Sequence, residues 1–324
     1  MSTKPRVLIT TPWPDAAVAA MRQHFDVEVH QGPLPMPAEK WKTAIKEFDA
    51  IAPTVIDRIP AEVYVADGRR TRMLGNFGVG YNHIDIDAAK ASGLVVSNTP
   101  GVLTDTTADQ AMGLLLAAAR GISLGDWHVR AGLWEGWTPT DRLGQHVTGA
   151  TLGIVGFGRI GQAVAKRAHF GFDMKIVFFN RSKVDPAIAE RYDAEQMETV
   201  EDVLAASDFV SLHCPGGAET RHLINAERLK AMRPNGILIN TARGDVVDEA
   251  ALAAALEAGT IAGAGLDVFE AEPKVHPKLV ELTNCVLNPH LGSATLSTRV
   301  KMGQKVVMNL VSYFDKKEMP DRLT

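Results

Sequence analysis

Residues 151–182, TLGIVGFGRIGQAVAKRAHFGFDMKIVFFNRS, are the stretch that decides the fold. Two short apolar runs, residues 152–155 and 176–179, predict buried strands. Between them, apolar side chains recur at helical spacing, and we expect this helix to end at Gly171, because glycine is common just beyond a last helical turn. The stretch therefore predicts one β-α-β unit.

Three glycines with the spacing G-x-G-x-x-G join the first predicted strand to the helix. Gly156 allows a tight turn, Gly158 lets a pyrophosphate approach the backbone, and Gly161 lets the helix pack close to the strand. The free amides at the helix start, near Arg159 and Ile160, then face the phosphates. A tight turn without a ligand is the alternative, but the flanking strand, helix and second strand favour a dinucleotide-binding site.

The end of the second strand indicates which dinucleotide binds. Enzymes that use NAD usually carry Asp or Glu there, on the ribose 2′-hydroxyl, whereas this chain has Asn180, Arg181 and Ser182. Arg181 can neutralise a 2′-phosphate, and the two neighbours can donate hydrogen bonds to it. We therefore predict NADPH over NADH. The alternative is that Arg181 is a solvated surface charge.

Composition limits the class of protein. The chain has 324 residues, 46% hydrophobic and 22% charged, which is ordinary for a globular protein with two domains. A net charge of −4 gives no reason to expect nucleic acid or an anionic membrane as partner. Cys214 and Cys285 have no metal-ligand spacing, so we expect no metal site. The N-terminal stretch lacks the apolar core of a signal peptide, and we expect a cytoplasmic protein.

Strand and helix signals alternate along most of the chain, which predicts an α/β fold with doubly wound parallel sheets. Residues 98–101, Asn-Thr-Pro-Gly, are the first clear break, and we place a hinge there. A long helix is predicted over 104–120 and another over 295–317. Between 121 and 149 the pattern weakens, and we interpret this segment as an arm that carries three tryptophans, Trp127, Trp134 and Trp137.

Three residues in other parts of the chain have side chains that suit catalysis. Arg243 follows a predicted strand and can hold a carboxylate with two parallel hydrogen bonds. Glu272 also follows a strand, before Pro273, and His290 supplies an imidazole that can donate a proton. Singly, each has a plainer explanation as a surface ion pair, a solvated acid or a loop histidine. Together they supply an anion clamp, a carboxylate and a proton donor, which reduction of a carbonyl acid requires.

Four motifs carry a resemblance over nearly the whole chain. In order they are GIVGFGRIG, NTARGDVVDE, GLDVFEAEP and NPHLGSAT. With these motifs the chain resembles the D-isomer-specific 2-hydroxyacid dehydrogenase family. The segment WEGWTP and the non-acidic NRS make it most similar to the glyoxylate/hydroxypyruvate reductases within that family.

The resemblance implies a role for each matching residue. Arg243 is implied as the substrate anchor, His290 as the acid/base and Glu272 as its partner. The backbone amides of Val79 and Gly80 are implied to hold the substrate carboxylate. Positions along the cofactor are matched by Thr107, Cys214, Pro215, Thr241 and Asp267.

The resemblance also implies a domain plan. Residues 1–100 and 289–324 are expected to form a flavodoxin-like substrate-binding domain, and residues 101–288 a Rossmann cofactor domain, with the active site in the cleft and hinges near Pro100 and His290. The arm is expected to form a homodimer, in which Trp137 reaches the partner's active site. The alternative is that Trp137 simply packs in the arm.

These observations predict NADPH-dependent reduction of a small 2-oxo acid, glyoxylate or hydroxypyruvate, by hydride transfer, with NAD(H) as the less favoured cofactor. A different D-2-hydroxyacid dehydrogenase, of the phenylpyruvate, lactate or phosphoglycerate type, is the nearest alternative. A non-catalytic NAD(P)-sensing binding protein on the same fold is the alternative from another class, and turnover with a small oxo acid distinguishes the two.

Overall fold

The computed structural model describes residues 4–65 and 67–324. Two compact units divide the chain. We call Met1–Leu103 with Ala294–Thr324 the split unit, and Thr104–Ser293 the central unit. Each unit is built on one parallel sheet, and the predicted α/β class with two doubly wound sheets is confirmed. No helix among the described residues is both long and apolar enough to cross a bilayer.

The described residues contain twelve strands: β1 (Arg6–Ile9), β2 (Asp26–Val29), β3 (Ala50–Ala52), β4 (Met73–Gly75), β5 (Val95–Ser97), β6 (Thr151–Val155), β7 (Lys175–Phe179), β8 (Ala194–Gln196), β9 (Phe209–Leu212), β10 (Ile237–Asn240), β11 (Gly263–Leu266) and β12 (Cys285–Leu287).

The helices of the same residues are α1 (Asp15–His24), α2 (Ala38–Glu47), α3 (Glu62–Val65), α4 (Ile86–Ala91), α5 (Thr104–Arg120), α6 (Ile122–Arg130), α7 (Arg159–Phe172), α8 (Pro186–Glu190), α9 (Val200–Ala206), α10 (Ala226–Ala231), α11 (Glu249–Glu257), α12 (Pro277–Glu281) and α13 (Leu296–Phe314), with one 3₁₀ turn over Gly244–Val246.

The sheet of the split unit has the order β2-β1-β3-β4-β5, which is flavodoxin-like. Its inner strands β3 and β4 are short, apolar and fully buried, whereas the edge strand β2 carries the exposed residues Asp26 and Glu28. The final helix, α13, returns to this sheet from the far end of the chain. A Cβ on Gly75 of β4 would lie 2.8 Å from Val306, and one on Gly303 would lie 2.5 Å from Ala17 of α1. Both glycines therefore allow α13 to pack closely.

The sheet of the central unit has the order β12-β11-β10-β9-β6-β7-β8. The first strand of this unit, β6, lies in the middle of the sheet. Strands β7 and β8 are added on one side of it, and β9 to β12 on the other. This is the Rossmann order, and its reversal between β6 and β9 marks where a ligand binds at the carboxyl ends of the strands. In the register of the last three strands, Asn240, Leu266 and Leu287 lie side by side.

One local prediction differs from the structure. The helix of the glycine motif does not end at Gly171 but continues to Phe172, and Asp173 takes the left-handed conformation beyond it, at φ 51°. Asp can adopt this conformation at modest cost, so the glycine was not needed there. The segment interpreted as an arm begins with α6, a helix with no buried residue. It has no apolar face toward a core, so periodicity could not reveal it.

Candidate active site

The glycine turn after β6 has the conformation that its sequence predicts. Gly156 has φ 96°, and a Cβ there would lie 2.6 Å from the amide nitrogen of Cys214. A Cβ on Gly161 would lie 2.3 Å from the carbonyl oxygen of Gly156. At Gly158, by contrast, a Cβ would meet no atom within 4 Å. The first and third glycines therefore allow close packing, and the middle one faces open space that suits a pyrophosphate.

Helix α7 starts at this turn without a side-chain cap. Gly158 is its extended N-cap residue, and the next residues, Arg159 and Ile160, form the first turn. Backbone amides at an uncapped helix start lack a partner within the helix and carry the positive end of its dipole. A bound phosphate satisfies both conditions, so these residues fit a dinucleotide cofactor.

The residues after β7 are predicted to bind the ribose of the cofactor, and one of them, Arg181, has a partner that the sequence did not indicate. Asn180, after β7, accepts a hydrogen bond from the amide of Phe157 at 3.2 Å and donates to the carbonyl of Ser182 at 3.0 Å. The guanidinium of Arg181 lies 2.6 Å from the Glu219 carboxylate. These two side chains are 86% and 81% exposed, so the ion pair is weak and replaceable. No short-range pattern links Glu219 to Arg181, because they follow different strands.

Other predicted cofactor residues follow β9 and β10 at the same edge of the sheet. The Pro215 carbonyl accepts a hydrogen bond from Thr220 at 2.6 Å, which fixes the loop. Burial raises the pKa of the adjacent Cys214 thiol to about 11, so this thiol stays neutral. The hydroxyl of Thr241 is buried without a hydrogen-bond partner among the described residues. A polar group of a bound cofactor is the kind of partner that such a hydroxyl needs.

Asp267 and Thr107 contact the segment that follows His290. Asp267 accepts hydrogen bonds from the amides of Leu291 and Gly292, both at 2.7 Å. The hydroxyl of Thr107 donates to the carbonyl of Gly292 at 3.3 Å. Burial raises the pKa of Asp267, whereas the two amides act in the opposite direction. In this structure both residues hold the His290 segment, and their contact with the cofactor stays a prediction.

His290 and Glu272 are in direct contact. The Nδ1 atom of His290 lies 2.8 Å from Oε2 of Glu272, and Oε1 of Glu272 accepts a hydrogen bond from the Phe269 amide at 3.0 Å. Burial alone would raise the pKa of Glu272, but the His290 hydrogen bond and charge, the Phe269 amide and the Arg243 charge together hold it below its usual value. Glu272 is therefore an anion at neutral pH and holds a proton on Nδ1 of the imidazole.

The backbone of His290 is in the left-handed region, at φ 55°. Residues other than glycine adopt this conformation uncommonly, although Asn, Asp and His do so more readily than most. Here the His290 amide donates to the Asp267 carbonyl at 2.9 Å, and Asp267 also holds the next two amides. These bonds hold the His290 backbone in the conformation from which its imidazole contacts Glu272.

Arg243 follows β10 by three residues. Its Nη1 donates to the carbonyl of Ala242 at 2.6 Å. Burial lowers the pKa of Arg243, and the carboxylates of Glu272 and Asp245 oppose that shift. A guanidinium stays charged under these conditions and has five N–H donors, so most of them remain for an anionic ligand.

The loop between β11 and α12, which carries Glu272, also carries a second acid, Glu270, whose side chain has a different partner. Its carboxylate contacts Nε2 of His222, and Asp248 lies 3.9 Å from the other nitrogen of that ring. The His290 contact therefore belongs to Glu272, as the position before Pro273 predicts.

Val79 and Gly80 lie in the split unit, after β4. Their carbonyls accept hydrogen bonds from the side chains of Asn98, at 2.8 Å, and Asn76, at 3.0 Å. These contacts fix the peptide groups of the loop and leave the role of its amides in substrate binding as a prediction.

Trp137 is 80% exposed in the single chain. Six other large apolar side chains of the segment between α5 and β6 are at least 49% exposed: Ile122, Trp127, Val129, Leu133, Trp134 and Leu143. Exposed large apolar side chains concentrated in one segment indicate a candidate interaction surface.

A dinucleotide turn and an imidazole–carboxylate pair thus share the carboxyl edge of one sheet, and this arrangement defines a class, the nicotinamide-dependent oxidoreductases. The family model "D-isomer specific 2-hydroxyacid dehydrogenase, NAD binding domain" matches residues 112–292. The chain belongs to this family, as its motifs predict.

Individual relatives agree with this assignment. A glyoxylate reductase of Pyrococcus furiosus is 45% identical over 99% of this chain and 95% of its own length. The solved structure of a glyoxylate reductase from Paecilomyes thermophila superposes with a TM-score of 0.87 at 33% identity, covering 100% of this chain and 99% of that one. An NADPH-dependent glyoxylate/hydroxypyruvate reductase from Sinorhizobium meliloti, solved with NADP and malonate, gives 0.86 at 35% identity over 99% and 97%.

Proposed function

We propose that the protein reduces a small 2-oxo acid, glyoxylate or hydroxypyruvate, to the 2-hydroxy acid with NADPH. The observation that carries the proposal is the His290–Glu272 pair beside the Arg243 guanidinium, at the edge where the glycine turn ends. The names of the relatives support the substrate class, since they are glyoxylate and glyoxylate/hydroxypyruvate reductases.

Arg243 binds and orients the substrate. Its guanidinium takes the carboxylate in a forked pair of hydrogen bonds, and burial strengthens this charge-assisted contact. The Val79 and Gly80 amides are proposed as further donors to the same carboxylate. Holding the acid in one orientation supplies a large part of the rate enhancement.

His290 supplies the proton. Glu272 occupies Nδ1, so Nε2 is the ring nitrogen left to protonate the carbonyl oxygen as it becomes negative. Glu272 keeps the ring in one orientation and stabilises its charged form. A bound NADPH would supply the hydride for the carbonyl carbon.

We attribute the preference for NADPH to Arg181, which can exchange its present partner, Glu219, for the 2′-phosphate of the cofactor. Its present partner, Glu219, forms an exposed ion pair that contributes about 0–1 kcal/mol. A 2′-phosphate carries more charge than a carboxylate and offers three acceptor oxygens to the guanidinium. We propose that it replaces Glu219 as the partner of Arg181.

Initial rates of NADPH and NADH oxidation with glyoxylate test the proposal. We expect faster turnover with NADPH, and we expect the Arg181→Asp variant to reverse the preference. Turnover with NADH alone, or an unchanged preference in Arg181→Asp, would contradict the cofactor assignment. Absence of turnover with any small oxo acid would contradict the reductase and favour the cofactor-sensing alternative.

We further propose a homodimer formed through the exposed apolar side chains between α5 and β6. Trp137 is the most exposed of these, at 80%, and we propose that in the dimer it reaches the partner's active site. Light scattering after gel filtration tests the assembly. A Trp137→Ala dimer with normal KM and kcat would remove Trp137 from the site and leave it as a packing residue.

A further inference from the structure

Glu272 lies in a tight turn of the loop between β11 and α12. Ala271 and Lys274 form an isolated antiparallel bridge, and the Lys274 amide donates to the Ala271 carbonyl at 2.9 Å. This turn fixes Glu272 relative to its own neighbours. It does not fix Glu272 relative to His290, which follows a different strand. Another part of the unit has to hold the base of the loop.

Glu249 holds that base. It is the first residue of α11 and is 6% exposed. Its Oε1 accepts a hydrogen bond from the Glu270 amide at 2.7 Å, and its Oε2 accepts one from the His276 amide at 3.2 Å. These two amides lie on either side of the turn that carries Glu272. One buried carboxylate therefore closes the loop from both ends.

The chemistry of the contact requires two acceptor oxygens. A carboxylate presents two, whereas a glutamine presents one oxygen and an NH₂ group that would face a backbone amide. Burial raises the pKa of Glu249, the amides of Glu270 and His276 lower it, and the Glu270 charge opposes them. The Cys285 thiol, whose pKa burial raises to about 12, also faces this carboxylate and stays neutral.

Gly244 packs against the same loop. A Cβ on this residue would lie 1.9 Å from the carbonyl carbon of Phe269, so the backbones are in close contact. The Phe269 amide in turn donates to Glu272 at 3.0 Å. Any movement of residues 269 and 270 away from Glu249 therefore moves the Glu272 carboxylate.

We propose that Glu249 is a positioning residue for the reaction, which acts by holding the loop so that the Glu272 carboxylate meets Nδ1 of His290. The inference rests on the proposed reductase function for its kinetic consequences only. Glu249 itself contacts neither His290 nor Arg243; its effect passes through the backbone of the loop.

The ring nitrogens of His290 give a direct test in the intact protein. With Glu249→Gln, ¹⁵N shifts should show loss of the Nδ1–H tautomer that Glu272 enforces. The control is Glu257→Gln, at the other end of α11, because Glu257 contacts Lys278 at the surface, 3.6 Å away. That variant should keep the wild-type shifts. A His290→Asn spectrum identifies the signal among the ten histidines.

Kinetics separate positioning from a merely structural role. We expect kcat with glyoxylate and NADPH to fall roughly three- to tenfold in Glu249→Gln, with KM and NADPH affinity unchanged. In a Glu272→Gln background, Glu249→Gln should cause no further loss of kcat, because the Glu272 carboxylate through which Glu249 acts is already absent. Independent, multiplicative losses in the double variant, or unchanged ¹⁵N shifts in Glu249→Gln, would overturn the proposal.

Thermal unfolding checks that the variants are folded. If Glu249→Gln does not fold, Glu249→Asp is tested by the same criteria, since it keeps both oxygens on a side chain that is one methylene shorter. The ring shifts need no substrate. A wild-type protein without turnover would therefore contradict the reductase proposal, while the spectra would still decide the role of Glu249.

Discussion

Replacing Glu272 by Gln should reduce turnover while leaving substrate binding intact. The amide keeps the shape of the side chain, and its oxygen can still accept from Phe269, at 3.0 Å in the wild type. Its NH₂ group, however, would face the Nδ1–H of His290, where the wild type has an acceptor 2.8 Å away. The ring loses both its orienting partner and the charge that stabilises its protonated form.

The size of the effect follows from the contact. A hydrogen bond to a charged group contributes roughly 1.5–3 kcal/mol. The side chains of His290 and Glu272 are 31% and 27% exposed, so water weakens the interaction and we take the lower value. About 1.5 kcal/mol corresponds to a loss of roughly tenfold in kcat.

The assay is steady-state reduction of glyoxylate at saturating NADPH, with KM and kcat determined separately. Glu270→Gln is the matched control, because that carboxylate lies two residues away on the same loop but contacts His222. We expect its kcat to stay near that of the wild type. Equal losses in both variants, or a loss confined to KM in Glu272→Gln, would refute the assigned role of Glu272.

Arg243→Lys should raise the KM for the oxo acid roughly 10- to 100-fold, because an ammonium cannot form the forked contact, while equilibrium binding of NADPH stays unchanged. Gly161→Ala should abolish detectable NADPH binding by calorimetry, because its Cβ would lie 2.3 Å from the Gly156 carbonyl oxygen. Burial lowers the pKa of His213 from 6.5 to about 3, so the unfolded chain binds a proton there that the folded one does not. The neutral His213 side chain therefore contributes fully to the stability of the folded protein above pH 6.5, and this contribution is lost as the pH falls toward 3. Over that range, the melting temperature of His213→Gln should fall less than that of the wild type.

The central unit was predictable where the signal is local. The glycine spacing, the two apolar runs and the helix between them depend on neighbouring residues, and the structure has β6, α7 and β7 there. Short elements were missed where they make few buried contacts. Strand β8 lies at the sheet edge with no fully buried residue, and α8 has none either. Their formation depends on tertiary contacts that periodicity does not carry.

The candidate site shows the same division. Arg243, Glu272 and His290 each follow a strand, so the rule that ligands bind at carboxyl ends of parallel strands placed them together. Glu249 and Glu219 were not found, because each acts on a residue that follows another strand. Only the folded chain brings such pairs into contact.

Asn240, Leu266 and Leu287 lie side by side in the register of the sheet. Because of this register, we expect activity to return late when the protein refolds. Arg243, Glu272 and His290 extend from these three neighbouring strands, and a slip of one residue would displace a strand by about 3.3 Å. A displacement of this size would break the 2.8 Å contact between His290 and Glu272. During refolding, helical signal can therefore return before activity does. We expect that recovered turnover requires the correct pairing of β10, β11 and β12.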